Sequence, residues 1–226
     1  MEKRTSALIF DFDGLILDTE TPEMSAWQEL FAQAGARFDP QAYLSIIGTF
    51  ASKGYQPAEE LAGLMNHGTT PQALQALVNA RTLAVINQEP ALPGVTELID
   101  KAKQAGLKLG VGSSSPEEWV KGHLWRLGLL EQFDTIVTFD DVQVSKPAPD
   151  IFLRVLANLG VTADQALVLE DSYNGIVAAR QAGIRAVAVP NPVTQGQDFS
   201  LAEEVLPSLQ ALQLEKYFPI SSEITH

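Results

Sequence analysis

The stretch Ala7–Glu20, ALIFDFDGLILDTE, decides how the rest of the chain is read. Ala7-Leu8-Ile9-Phe10 is an apolar run about the length of one buried strand. It stops abruptly at Asp11-Phe12-Asp13-Gly14, where a glycine releases the chain. Carboxylates drawn into one cleft repel each other unless a cation or a proton offsets them. A bound metal is therefore the first expectation, and a carboxylate beside a metal can act as a nucleophile toward phosphorus.

Working outward, the pattern after Glu20 turns helical. Met24, Trp27, Leu30 and Phe31 recur at helical spacing, and Gly35 is a stop. Pro57 and Pro71 each head a further helix, the second carrying Leu74, Leu77, Val78, Leu83 and Ile86. No strand is expected between about Glu20 and Pro90, so this segment reads as an all-helical insertion. From Ala91-Leu92-Pro93-Gly94 onward, helices closed by glycines alternate with short apolar runs. Strands are expected at Leu107–Gly112, Thr135–Phe139, Ala166–Leu169 and Ile184–Val189, and short helices at Leu201–Leu206 and Leu209–Leu214. Such alternation predicts an α/β fold, a parallel sheet with helices on both faces. Ligands of such sheets sit beyond the carboxyl ends of the strands.

The polar residues at those strand ends carry the chemistry. They are Asp11 and Asp13, then Ser113, Ser114 and Ser115, then Ser145-Lys146-Pro147 in a loop, then Glu170 and Asp171. Taken singly each is ordinary: a turn, a helix N-cap, an exposed loop lysine, an acidic helix start. Such groups at separate strand ends are harder to explain as turn chemistry, and together they suit phosphoryl transfer. Asp11 or Asp13 can attack phosphorus, and the other can protonate the leaving oxygen and then activate water. Glu170 and Asp171, with the first pair, can hold Mg²⁺, a hard cation that takes oxygen ligands. Ser113 and nearby backbone N–H groups can bind phosphate oxygens, and Lys146 can neutralise charge.

Composition narrows the partners. The chain has 226 residues, is 46% hydrophobic and carries a formal net charge of −13. That charge argues against nucleic acid and anionic membranes, and leaves a small phosphorylated metabolite open. The absence of cysteine excludes disulfides, thiolate catalysis and cysteine metal sites. The beginning of the chain has no signal-peptide core, and no stretch reaches the length of a membrane span, so a cytoplasmic monomer is the expectation. His67, His123 and His226 lie in no metal-ligand spacing and read as surface or packing residues.

Asp11-Phe12-Asp13-Gly14 with Asp18-Thr19-Glu20, Ser113, Lys146-Pro147, and Glu170-Asp171-Ser172 with Asn174-Gly175 resembles the haloacid dehalogenase superfamily, in its β-phosphoglucomutase-like phosphatase branch. The resemblance implies a Rossmann-like core, residues 1–16 and 92–226, with an inserted helical cap, residues 17–91. It implies Asp11 as nucleophile and Asp13 as general acid/base, through an aspartyl-phosphate intermediate. Mg²⁺ would be held by Asp11, the Asp13 main-chain carbonyl, Asp171 and Glu170. Ser113, the Ser114 backbone and Lys146 would bind the phosphoryl group, and Asn174 would support the Glu170-Asp171 loop. The 14–18 stretch and the 91–94 turn would be the hinges of the cap.

The cap departs from the mutase pattern. Glu23 stands where the mutases carry a histidine, and no arginine follows Gly48, with Lys53 or Arg81 as substitutes. Hydrolysis of a small phosphorylated metabolite, such as a sugar phosphate, is therefore expected ahead of β-phosphoglucomutase activity. A non-catalytic phospho-acceptor module and halide removal from a haloacid are the remaining readings, and both suit these residues less well.

Overall fold

β1 (Ala7–Phe10) lies at the centre of a parallel sheet, hydrogen-bonded to a strand on each side. The computed structural model describes residues 6–49, 54–65 and 68–218. After β1 come α1 (Glu20–Gln33), α2 (Pro40–Leu44), α3 (Pro57–Met65) and α4 (Pro71–Ile86). The chain then alternates through α5 (Val95–Gln104), β2 (Lys108–Gly112), α6 (Glu117–Arg126), β3 (Thr135–Val137) and α7 (Asp150–Leu159). It closes with β4 (Ala166–Glu170), α8 (Tyr173–Gln181), β5 (Arg185–Ala188), β6 (Glu204–Val205) and α9 (Leu214–Tyr217). Strand order is β3-β2-β1-β4-β5-β6, with every pairing parallel. Connections leave β1 in one direction and β4 in the other, so the carboxyl ends of β1 and β4 border the switch-point crevice.

Burial explains why the strands read as continuous apolar runs. Leu8 and Phe10 of β1 pack into one core cluster, Ala7 and Ile9 into another on the opposite face. Leu167 and Leu169 join the first and Ala166 and Val168 the second. A sheet covered on both faces needs apolar side chains at every position. The helices between β1 and α5 have their own core around Trp27, Phe31, Leu61, Leu74 and Val78, and among the described residues no strand interrupts them. This is an inserted helical cap on an α/β core. Where the chain leaves and re-enters the core, Leu92 N–H donates to Ile16 O at 2.8 Å, so the crossings run side by side.

Some elements differ from their expected form. The segment expected as a helix at Leu201–Leu206 supplies β6, an edge strand. Glu203 N–H donates to Ala186 O and Leu206 N–H to Ala188 O, each at 2.8 Å. The free edge of β5 offers carbonyls in register, and that pairing overrides a helix-favouring local composition. The Leu209–Leu214 helix is instead a 3₁₀ turn, Leu209–Ala211, followed by α9. β3 stops at Val137, because Phe139–Asp141 turns as a 3₁₀ helix capped by Thr138 and Asp141. α2 was not expected, although Asp39-Pro40 is a helix-start signal: Asp39 Oδ1 accepts from Gln41 N–H and Ala42 N–H at 2.9 and 3.1 Å. Among the described residues no helix is long and apolar enough to cross a membrane.

Candidate active site

Asp11 continues the β1 ladder by one residue, its N–H donating to Leu169 O at 2.9 Å. That register sets it beside Glu170, the last residue of β4. Asp11, Glu170 and Asp171 are all buried, with one carboxylate oxygen of each within 4.8 Å of the others. Lys146 reaches in from the loop before α7. Its Nζ donates to Asp11 Oδ1 at 2.5 Å and Glu170 Oε1 at 2.6 Å, and lies 4.8 Å from the centroid of the Phe152 ring. The second oxygen of Glu170 accepts from Ser172 N–H and Ser172 Oγ–H at 2.9 and 3.0 Å. Asp171 Oδ2 accepts from Asn191 Nδ2 at 2.8 Å, whereas Asp171 Oδ1 is buried without a hydrogen-bond partner.

The charges do not balance. Burial, then the Glu170 charge, pushes the Asp11 carboxyl up to about 8 despite the lysine beside it. Asp171 is held well above the carboxylate range by burial and by Glu20 and Glu170, and Glu20 by burial. Burial alone would lower Lys146, yet Asp11 and Glu170 raise it above its ordinary value, so it stays charged. A cluster of buried carboxylates with one ammonium and one orphaned oxygen is a donor set for a hard divalent cation. The residues present therefore fit a metal of that class.

Asp13 stands apart from this group. Its Oδ1 accepts from Trp119 Nε1 at 2.9 Å and Thr19 Oγ1 at 3.0 Å. Its Oδ2 accepts from Ser115 Oγ at 2.6 Å and Ser113 Oγ at 3.3 Å. The Asp13 carboxylate is thus not part of the acidic cluster, and only its main chain is left for a metal. Ser114 Oγ donates to Gly48 O at 2.9 Å, from core to cap. Asn174, expected to support the Glu170-Asp171 loop, instead donates to Ile47 O at 2.7 Å and Ser45 O at 3.3 Å. Ser172 supports that loop, because it caps α8 and so sits within reach of Glu170. With Gln197 Nε2 donating to Leu44 O at 3.0 Å, these bonds seat cap residues 44–48 on the core.

Two glycines make room for the cluster. Gly14 has φ +75°, and a Cβ there would lie 2.4 Å from Asp171 Oδ2. A Cβ at Gly175 would lie 1.7 Å from Glu170 Oε1. Alanine is ordinarily favoured over glycine in a helix by about 1 kcal/mol, but no helical gain offsets an overlap of that depth. Gly175→Ala is expected to lower the melting temperature by several degrees and phosphate release by roughly a hundredfold or more. A thermal melt and a turnover assay check this, and wild-type values in both would show that Glu170 has room to move.

Asn191 and Trp119 have no role expected from sequence, and Glu20 and Ser115 stand there only as members of their motifs. Asn191 Nδ2 bridges Glu20 Oε2 and Asp171 Oδ2 at 2.9 and 2.8 Å. It lies just past β5, so the strand-end rule that picked out the other polar groups would have found it. Trp119 carried no such signal. Of the weaker candidates, His123 packs between Phe12 and Trp119 as expected. Glu23 lies close enough to Asp13 to feel its charge, though burial is the larger cause of its raised carboxyl. Arg81 pairs with Glu29 at 3.2 Å. Lys53, His67 and His226 lie outside the described residues.

Known proteins similar to the chain include named phosphatases and hydrolases. The haloacid dehalogenase-like hydrolase family model matches residues 8–189. The chain is 41% identical over 208 residues to YhcW of Bacillus subtilis (strain 168), covering 92% of this chain and 94% of that one. It is 37% identical over 191 residues to the fructose-1-phosphate phosphatase YqaB of Escherichia coli (strain K12), covering 84% and 98%. Among solved structures, CbbY from Rhodobacter sphaeroides in complex with phosphate superposes with a TM-score of 0.70 at 29% identity, over 92% of this chain and 96% of that one. The chain belongs to the haloacid dehalogenase-like hydrolase family. Its relatives named as phosphatases place it with the phosphoric monoester hydrolases.

Proposed function

We propose that the chain is a Mg²⁺-dependent phosphatase that hydrolyses a small phosphorylated metabolite, a sugar phosphate in the first instance, through an aspartyl-phosphate on Asp11. The observation that carries this is Lys146, bonded to both Asp11 and Glu170 beside the partnerless Asp171 Oδ1. The lysine offers the Asp11 carboxylate a countercharge, and the orphaned Asp171 oxygen offers a cation a ligand beside it. Asp11, Glu170 and Asp171, with the main-chain carbonyl of Asp13, would hold Mg²⁺. Bound there, the ion supplies charge neutralisation for the Asp11 carboxylate and for phosphate oxygens.

The chain's own groups account for the rest. Ser113, the Ser114 N–H and Lys146 bind the phosphoryl oxygens and orient phosphorus toward Asp11. An Asp11 oxygen forms a bond to phosphorus as the ester P–O bond breaks, and Asp13 gives its proton to the departing oxygen. Water then attacks the acyl-phosphate, Asp13 takes its proton, and inorganic phosphate leaves. The cap seated through Ser114, Asn174 and Gln197 keeps bulk water out during the first step. Two cap residues favour a monophosphate over a bisphosphate: Glu23 sets a carboxyl, not a cation, near Asp13, and Arg81 is engaged by Glu29. The relative named for fructose 1-phosphate supports the sugar-phosphate class.

A phosphate-release screen over a metabolite panel tests the reading, run with Mg²⁺, with chelator and with Asp11→Asn. Turnover should require both the metal and the carboxylate, and activity that survives chelation would sink it. Metal binding also has a pH signature. The folded Asp11 value, about 8, lies above its ordinary 3.8. The folded metal-free protein therefore holds protons that the unfolded chain releases, and its stability falls as pH rises across that window. A cation displaces those protons and binds better at higher pH. Mg²⁺ should raise the melting temperature by several degrees at pH 8 and by much less at pH 5. An equal shift at both values would mean that the carboxylates are ionised without the metal.

A further inference from the structure

The four donors around Asp13 do not treat its oxygens alike. Oδ2 faces the hydroxyls of Ser115 and Ser113, and a hydroxyl can rotate to accept as readily as it donates. Oδ1 faces the Thr19 hydroxyl and the Trp119 indole, and an indole N–H can only donate. A proton on Oδ1 has only the Thr19 hydroxyl to receive it and weakens that oxygen as the acceptor of the indole N–H, whereas a proton on Oδ2 has the Ser115 and Ser113 oxygens to receive it and leaves Oδ1 free to accept. The indole is also held in its orientation. His123 packs edge-on against it at 4.7 Å between ring centroids and 76° between planes. His123 in turn stacks on Phe12 at 6.3 Å and 22°, and Phe12 stands between Asp11 and Asp13 in the chain. The rings thus tie the indole back to the carboxylate pair that it serves.

We propose that Trp119 is a positioning residue which makes Oδ2 the proton-carrying oxygen of Asp13, on the side of Ser113. The inference rests on the reading of Asp13 as general acid/base. In the first half-reaction the O–H bond at Oδ2 breaks, and its proton passes to the ester oxygen as the P–O bond breaks. In the second half-reaction the proton of the attacking water returns to Oδ2. Nothing else is consumed. Without the indole, the carboxyl can turn about its Cβ–Cγ bond, and its proton faces the leaving oxygen for only part of the time.

The test uses leaving groups that differ in their need for a proton. An alkoxide needs one, and p-nitrophenolate leaves without it. Alcohol release is followed in a single turnover for p-nitrophenyl phosphate and for the best alkyl ester from a panel containing fructose 1-phosphate and glycerol phosphates. Trp119→Phe is expected to slow release from the alkyl ester about tenfold to a hundredfold, and from p-nitrophenyl phosphate by less than about threefold. Equal losses, or none, overturn the proposal. If the phenylalanine variant does not fold, β-(3-benzothienyl)alanine at position 119 keeps the bicyclic shape, replaces N–H with sulfur and makes the same comparison. Asp13→Asn separates the two levels of the argument. If it too treats both esters alike, or if the wild-type protein turns over no alkyl ester, the underlying reading fails. If Asp13→Asn discriminates and Trp119→Phe does not, only the role of Trp119 fails.

Discussion

Asp11→Asn is expected to abolish phosphate release, with a loss of roughly 10⁴-fold or more, while the protein stays folded. An amide does not attack phosphorus, so the loss lies in chemistry. The structural consequence should have the opposite sign. Asp11 is buried, and its carboxyl titrates at about 8 because ionising it there is costly. The amide removes that cost and keeps an oxygen for Lys146, which retains Glu170 as its charged partner. Without metal, the variant should melt no lower than the wild type, as expected where a site holds a group for function at the expense of stability. Single-turnover phosphate release and melting curves in chelator check both halves. Turnover within tenfold of wild type would remove the covalent mechanism.

Lys146→Met should lose activity and stability together. The lysine side chain is almost fully buried and is bonded to Asp11 and Glu170. Methionine fills a similar volume but leaves the buried carboxylates without a countercharge. Removing one partner of a buried ion pair costs about 3–5 kcal/mol. For a chain of this size that lowers the melting temperature by roughly 6–20 °C. The pH dependence separates this from a packing defect. In the wild type the Lys146 value is raised, so its contribution is present throughout the neutral range and is lost only as pH rises through that value. In the variant, Asp11 loses the countercharge that lowers its value, so without metal stability should fall more steeply than in the wild type as pH rises from about 5 to 8, and should recover on adding Mg²⁺. A melting temperature that is lowered equally at both pH values would mean that the lysine matters for shape alone.

Much of the site was legible because it obeys a local rule. A strand buried on both faces must be apolar along its length, so the first polar side chain after such a run marks a strand end. Asp11, Ser113 and Glu170-Asp171 were found in this way, and the parallel sheet brings those ends to one rim. Asn191 obeys the same rule but was passed over between prolines. Trp119 obeys none: an aromatic residue in a helix reads as core, and only its 2.9 Å bond to Asp13 shows otherwise. For Asn174 the family resemblance implies support of the neighbouring Glu170-Asp171 loop. Its partners, Ser45 and Ile47, lie far away along the chain and adjacent to it in space.

The alternation of strands and helices from β1 to β5, the helical insertion and the acidic strand ends were determined by sequence alone, since each follows from the periodicity and chemistry of neighbouring residues. Tertiary structure decided which carboxylates share a cation, that Asp13 is held away from them, and that the segment near Leu206 pairs as a strand. Each of those outcomes depends on desolvation and on partners supplied by distant segments. The charge state of a buried group and the pairing of a free sheet edge are set only when the chain closes around them.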